Sequence, residues 1–237
     1  MILNIIAVAL LAGVVGGALY GLMNLALVTP YIDRAVEIEA SRLGESVDIA
    51  FRVWQKQGAI LAGLIAGVAY SSLFSIVYAY MASRSSSSST TTRTTISSGI
   101  ILALIIWVVL YLMPALKYPA NPPAVGDPET IYYRQGIYIA YMLISGIAAL
   151  ALALLRMRLV GVLSRNIAMI AAYAVIMLGA YMLMPPNPDA IDMAEDILTG
   201  FRVTSAATSL ALWLMIGFMT SLLWSRTGLI RRRMPTT

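Results

Sequence analysis

The sequence contains no cysteine and no histidine. Without thiols it can form no disulfide, and without thiolate or imidazole it cannot by itself build the usual transition-metal sites. Histidine-centred triads and general bases are excluded with them. Charge is scarce too: 11% of the 237 residues are Asp, Glu, Lys or Arg, against about 25% in ordinary soluble domains. What fills their place is apolar, at 60% of the chain, and this balance points to a lipid bilayer. The net charge of +5 is no nucleic-acid signal, because the arginines flank apolar runs and no soluble basic domain carries them. No cleavable leader is expected, since the run 2–28 lacks a basic start and exceeds a signal-peptide core.

A hydrocarbon core takes roughly 20 apolar residues as a helix. Six stretches reach that length, at about 2–29, 57–82, 97–116, 135–155, 166–184 and 203–225, and none holds an acid or base in its interior. Backbone groups in lipid must be satisfied internally, so the expectation is an all-α integral membrane protein, a bundle of six transmembrane helices forming one domain over 1–237. Small residues recur every fourth position in the first span (Gly13, Gly17, Gly21) and the second (Ala59, Gly63, Gly67, Ser71, Ser75). Such ladders let backbones approach closely and read as packing seams ahead of a pore lining. The 14 methionines, Met182 and Met184 among them, read as gap-fillers ahead of thioether ligands.

The segment 83–96 is low-complexity Ser/Thr and reads as a linker. Thr29 and Pro30 look like a helix start, with Ile32, Val36 and Leu43 as the stripe of a short helix on the membrane surface. Taken alternately, the loops segregate charge. All 11 acids fall in the first, third and fifth loops, beside seven cations, whereas the opposite side has nine cations and no acid. The excess of Lys and Arg places both termini in the cytoplasm and turns the acidic face outward.

The longest polar segment of the central third is 117–134. Pro119, Pro122, Pro123 and Pro128 deny it a helix, and Tyr118, Tyr132 and Tyr133 near its ends suit a membrane–water boundary. It reads as an ordered cap between two helices. The three outward loops resemble one another: Pro30 with Arg52, Pro119 with Arg134, Pro185 with Arg202. The second and third also share LMP (Leu112–Pro114, Leu183–Pro185) and Asn-Pro (Asn121–Pro122, Asn187–Pro188). Three related helical hairpins are therefore expected.

The stretch LKYPANPPAVGDPETI (116–131) resembles the central signature of the CbtA family, predicted subunits of a cobalt transporter. PYIDRAVEIE after a Gly-rich first span, a Gly/Ala-rich second span and FRVTSAATSLALW opening the last span fall in the matching order. The resemblance implies a multi-span protein that moves cobalt or another divalent metal as substrate, with no tightly bound cofactor. It also implies a small histidine-bearing membrane partner, CbtB. For such a substrate this chain offers carboxylates and amide oxygens. The candidates are Asp127 and Glu129 in the signature loop, Asp33 and Glu37 in the first loop, and Asp189 and Asp192 in the third, with Asn121 and Asn187 adding amides. Asp33 and Glu37, four apart, share a helix face. Arg134 and Arg202 would orient carboxylates, and Pro122, Pro123 and Gly126 would shape the loop. Within the spans a cation meets only groups such as Asn24, Ser71, Ser72, Ser145, Thr208 and Ser209. The alternative class is a non-catalytic structural subunit of a larger membrane complex. An enzyme is not expected, because no general base or nucleophile is poised in the spans.

Overall fold

The computed structural model describes residues 2–84, 92–123, 125–156 and 163–226. Half of the expected linker (residues 85–91), Ala124, residues 157–162 and residues 227–237 lie outside the described residues. The elements are α1 (Ile2–Met23), α2 (Thr29–Leu43), α3 (Ile49–Arg84), α4 (Thr92–Trp107), α5 (Met113–Lys117), α6 (Ile131–Arg156), α7 (Leu163–Leu183) and α8 (Glu195–Arg226). No strand occurs among the described residues. Six helices are long and apolar enough to cross a membrane, at the six places where the apolar runs stand. The protein is an all-helical, multi-pass membrane protein.

Two of the crossings contain a π-turn. Asn24–Val28 joins α1 to α2, and Val108–Leu112 joins α4 to α5. Each turn ends two residues before a proline, Pro30 or Pro114. Proline has no N–H and its ring crowds the carbonyl four residues back. Widening the turn relieves this: the Thr29 N–H reaches the Asn24 carbonyl, and the Met113 N–H reaches Val108, each five residues back. Helical structure then continues through the proline. The separate surface helix expected from Thr29–Pro30 is therefore not formed, because α2 prolongs α1 through the π-turn and Val28 already has helical backbone angles. It ends at Gly44, whose φ of 69° places it in the left-handed region and whose N–H caps Ala40. The LMP pair also divides here. Leu112–Pro114 lies within a helical path, whereas Leu183–Pro185 lies where α7 stops.

The chain forms two compact units, Met1–Ile106 with Val203–Thr237, and Trp107–Arg202. In the first, α1 runs along α3 with backbones touching: a Cβ built on Gly67 stands 2.4 Å from the Gly13 carbonyl oxygen and from the Gly17 Cα. The glycine ladders are thus packing seams, which is how helices associate where lipid removes the hydrophobic drive. A second close approach, Gly99 to Gly217, brings α4 against α8. Tyr70 stacks on Trp213 and Tyr78 meets Trp224 edge-on, so α3 and α8 run parallel. The Tyr78 hydroxyl donates to the Thr95 carbonyl at 3.1 Å.

In the second unit a buried cluster of Tyr118, Ile137, Tyr141 and Met177 joins α6, α7 and the start of the 117–134 segment. Met113 and Met184 pack against it, as adaptable thioethers do among aromatic rings, while Met182 is exposed. The π-turn before Pro114 is completed here. Pro114 has no N–H to give the Val109 carbonyl, and the buried Ser145 hydroxyl donates to it instead at 2.5 Å. Ser145 has spent its one proton there, so its 2.6 Å contact with the Tyr173 hydroxyl takes its proton from Tyr173.

Candidate functional site

The second unit holds two ordered caps, 117–134 and 184–202, and each is gripped by the arginine that follows the other. Arg134, on the first turn of α6, reaches Asp189 of the later cap, Nε to Oδ2 at 2.9 Å. The same Nε faces the Thr130 hydroxyl at 3.0 Å. Its Nη1 donates to the Val125 carbonyl at 3.2 Å and its Nη2 to the Asp127 carbonyl at 3.1 Å. Arg202, near the start of α8, returns the grip, with Nη2 on Asn121 Oδ1 at 2.7 Å and Nε on the Ala120 carbonyl at 3.2 Å. Lys117 adds a third link to the Tyr181 carbonyl at 2.6 Å, and the Tyr118 hydroxyl a fourth to the Pro185 carbonyl at 2.5 Å. Tyr118 is therefore buried in packing, whereas Tyr132 and Tyr133 are exposed.

Local geometry explains why the first cap closes so tightly. Pro128 opens a single 3-10 turn, Pro128–Thr130, capped by Asp127, whose Oδ1 accepts from the Glu129 N–H at 2.8 Å. Gly126 has φ 92°, and a Cβ there would lie 2.3 Å from Asp189 Oδ2 and 2.8 Å from Arg134 Nη1. Only glycine fits both the backbone and the space. Pro122 is buried beneath the cap and Pro123 is exposed. Asp189 is the most enclosed carboxylate, with 7% of its side chain exposed. It accepts from the Asp127 N–H at 3.0 Å and lies 2.9 and 2.7 Å from the Thr130 hydroxyl. Thr130 carries no sequence signal beyond standing four residues before Arg134.

Asp33 is engaged in the first unit. Arg52 Nη2 lies 2.5 Å from Oδ1, and Lys56 Nζ 2.8 Å from Oδ2. Burial pushes this carboxyl up, but hydrogen bonds and charge from Arg52 and Lys56 outweigh it and hold it below its ordinary value; the residue lies four positions beyond the apolar run ending at 29. Arg52 also bonds Gln55.

Of the candidate ligands, Asp127 and Asp189 come together, linked through backbone and Thr130. Asn121 is held by Arg202, and Asn187 Oδ1 accepts from the Asp189 N–H at 3.3 Å. Glu37, Glu129 and Asp192 are exposed. Among the described residues no three of the metal-ligating acids converge. The polar groups of the spans mostly serve helix backbones: Asn24 donates to Tyr20, Ser72 to Val68 and Thr208 to Ser205. Ser71 and Ser75 are fully buried with no hydrogen-bond partner.

The profile of the family described as Probable cobalt transporter subunit (CbtA) matches residues 2–225. The chain belongs to the CbtA family. No curated protein and no solved structure matches it. The match takes in both units and both clasped caps of this CbtA chain. Membership makes it a probable cobalt transporter subunit, and a subunit implies other membrane partners.

Proposed function

We propose that this chain is the membrane-spanning subunit of a cobalt transport system whose acidic, proline-led caps face outward and collect the divalent cation. The observation that carries this reading is the family match over nearly the whole chain. The geometry supports a division of labour. Asp33 and Asp189 hold cationic side chains, and the solvent-exposed carboxylates Asp127, Glu129, Glu37 and Asp192 attract the metal. Imidazole, a common ligand of such metals, is lacking in this chain, and a small histidine-bearing CbtB-like membrane protein supplies it. Both termini lie in the cytoplasm, so a reporter fused at position 90 is expected inside the cell.

The test is cobalt accumulation in cells expressing the chain with its histidine-bearing partner, combined with metal analysis of the complex purified in mild detergent. Asp127→Asn keeps an oxygen to cap the 3-10 turn while removing charge, so its effect reports on the metal. Together with Glu129→Gln it is expected to lower accumulation severalfold. A second reading, a non-catalytic structural subunit, draws on the amide and hydroxyl groups of the spans tied to helix backbones. Copurification with a larger complex, no metal and no cobalt response would favour that reading and sink the first.

A further inference from the structure

The oxygens around Arg134 are short of protons. The Thr130 hydroxyl lies 2.8 Å from the Asp127 carbonyl oxygen, 2.9 Å from Asp189 Oδ1 and 2.7 Å from Oδ2, yet it has one hydrogen to share among these acceptors. At least one close oxygen–oxygen contact therefore holds no proton. Such contacts repel unless positive charge sits among them, and here it is the guanidinium. The spacing is also that of a metal shell: a hard cation with oxygen ligands at about 2.1 Å places neighbouring ligands about 3 Å apart. Val125 adds another carbonyl on Nη1, and Gly126 leaves room that a side chain would fill.

We propose that Asp127 O, Thr130 Oγ1, Asp189 and Val125 O form a cation cradle in which Arg134 is the resident cation, standing where a hard divalent metal ion binds once the guanidinium is withdrawn. The cap is shut to metal while Arg134 occupies it, and a partner carboxylate that draws Arg134 away would open it. With one carboxylate and otherwise neutral oxygens, the cradle suits a cation held weakly enough to be passed on. The inference rests on the transport reading for what the site is for, and on the geometry alone for what it binds.

The experiment is Mn2+ binding to the full-length chain in detergent, followed by electron paramagnetic resonance. Arg134→Gln removes the resident charge and keeps an amide to bond the cap; it is expected to bind Mn2+ at least tenfold more tightly than the wild type, with Co2+ competing. The gain should vanish in Arg134→Gln/Asp189→Asn. Equal Mn2+ binding by wild type and R134Q, or a gain that survives the loss of Asp189, overturns the proposal. Should R134Q not fold, Arg134→Met, which also removes the resident charge while keeping the length of the side chain, carries the same test; its binding should exceed wild type, and equality again overturns the site. Mn2+ binding by R134Q beside a wild type that accumulates no cobalt would sink the transport reading and leave the site standing. The reverse pair of results would do the opposite.

Discussion

Replacing Gly126 by alanine separates the value of the Arg134–Asp189 clasp from the cost of a left-handed backbone. The protein supplies its own control. Gly44 also has positive φ, 69° against 92°, but nothing lies within 4 Å of a Cβ placed there. Gly44→Ala should therefore cost only the backbone term, about 1–2 kcal/mol. At Gly126 the new methyl starts 2.3 Å from Asp189 Oδ2, where ordinary contact begins at 3.4 Å. The carboxylate must retreat by about 1 Å, which opens the 2.9 Å pair to roughly 4 Å, the outer limit of an ion pair. Breaking a buried pair costs about 3–5 kcal/mol. Asp189 is enclosed but Arg134 keeps 22% exposure, so about 2–4 kcal/mol is the better range. Gly126→Ala should thus cost about 3–6 kcal/mol in all, about 2–4 more than Gly44→Ala. Reversible unfolding in mixed micelles, followed by tryptophan fluorescence, measures both. In an Asp189→Asn background the Gly126→Ala penalty should shrink towards the backbone share. If the two alanine variants lose equal stability, the clasp contributes nothing and the reasoning about the caps is wrong.

Two further outcomes follow from other parts of the chain. In the α1–α3 seam, Gly67→Ala pushes a methyl into backbone 2.4 Å away and should destabilise by about 1–3 kcal/mol through overpacking. Gly58→Ala, with open space around it, should stabilise by up to about 1 kcal/mol through helix propensity; the same unfolding assay would refute the seam if both changes had the same sign. Asp33 has a folded pKa held below its unfolded value. Its contribution is therefore present above about pH 4 and lost as pH falls through the folded pKa. Asp33→Asn should flatten stability against pH in that acid window, and an unchanged profile would show that the Arg52–Lys56 pairing does not hold the hairpin.

Much of the fold is legible in the sequence because a bilayer leaves little choice: six uncharged runs of spanning length can satisfy their backbones only as helices. The glycine seams follow from fourfold spacing, since a helix puts every fourth residue on one face. The caps were legible as caps, through their prolines, but not as partners. Nothing in the linear order tells that Arg134 crosses to Asp189, or that Arg202 crosses back to Asn121, because those distances depend on how α6, α7 and α8 pack. One signal misled for a physical reason: Thr29–Pro30 has the composition of a helix start, yet a proline can be carried inside a helix when the turn before it widens. Whether that happens is decided by what neighbouring side chains offer the freed carbonyl.

That last point can be measured. Pro114 deprives the Val109 carbonyl of its intrahelical donor, and Ser145 replaces it at 2.5 Å. Ser145→Ala should cost about 0.6–1.7 kcal/mol, the range found for hydrogen bonds between membrane helices. Pro114→Ala restores an N–H at 114, which can close a bond to Val109 in the π register or to Leu110 in the α register. In the second case Met113 becomes free to serve Val109. Either way the serine is no longer needed, so Ser145→Ala should cost close to nothing in the Pro114→Ala background. The difference, a coupling of about 1 kcal/mol, isolates the serine–carbonyl bond from the small cavity left by the buried proline, which is common to both arms of the cycle. Additive losses would mean that Ser145 is held by Tyr173 alone and that the π-turn needs no help from its neighbour.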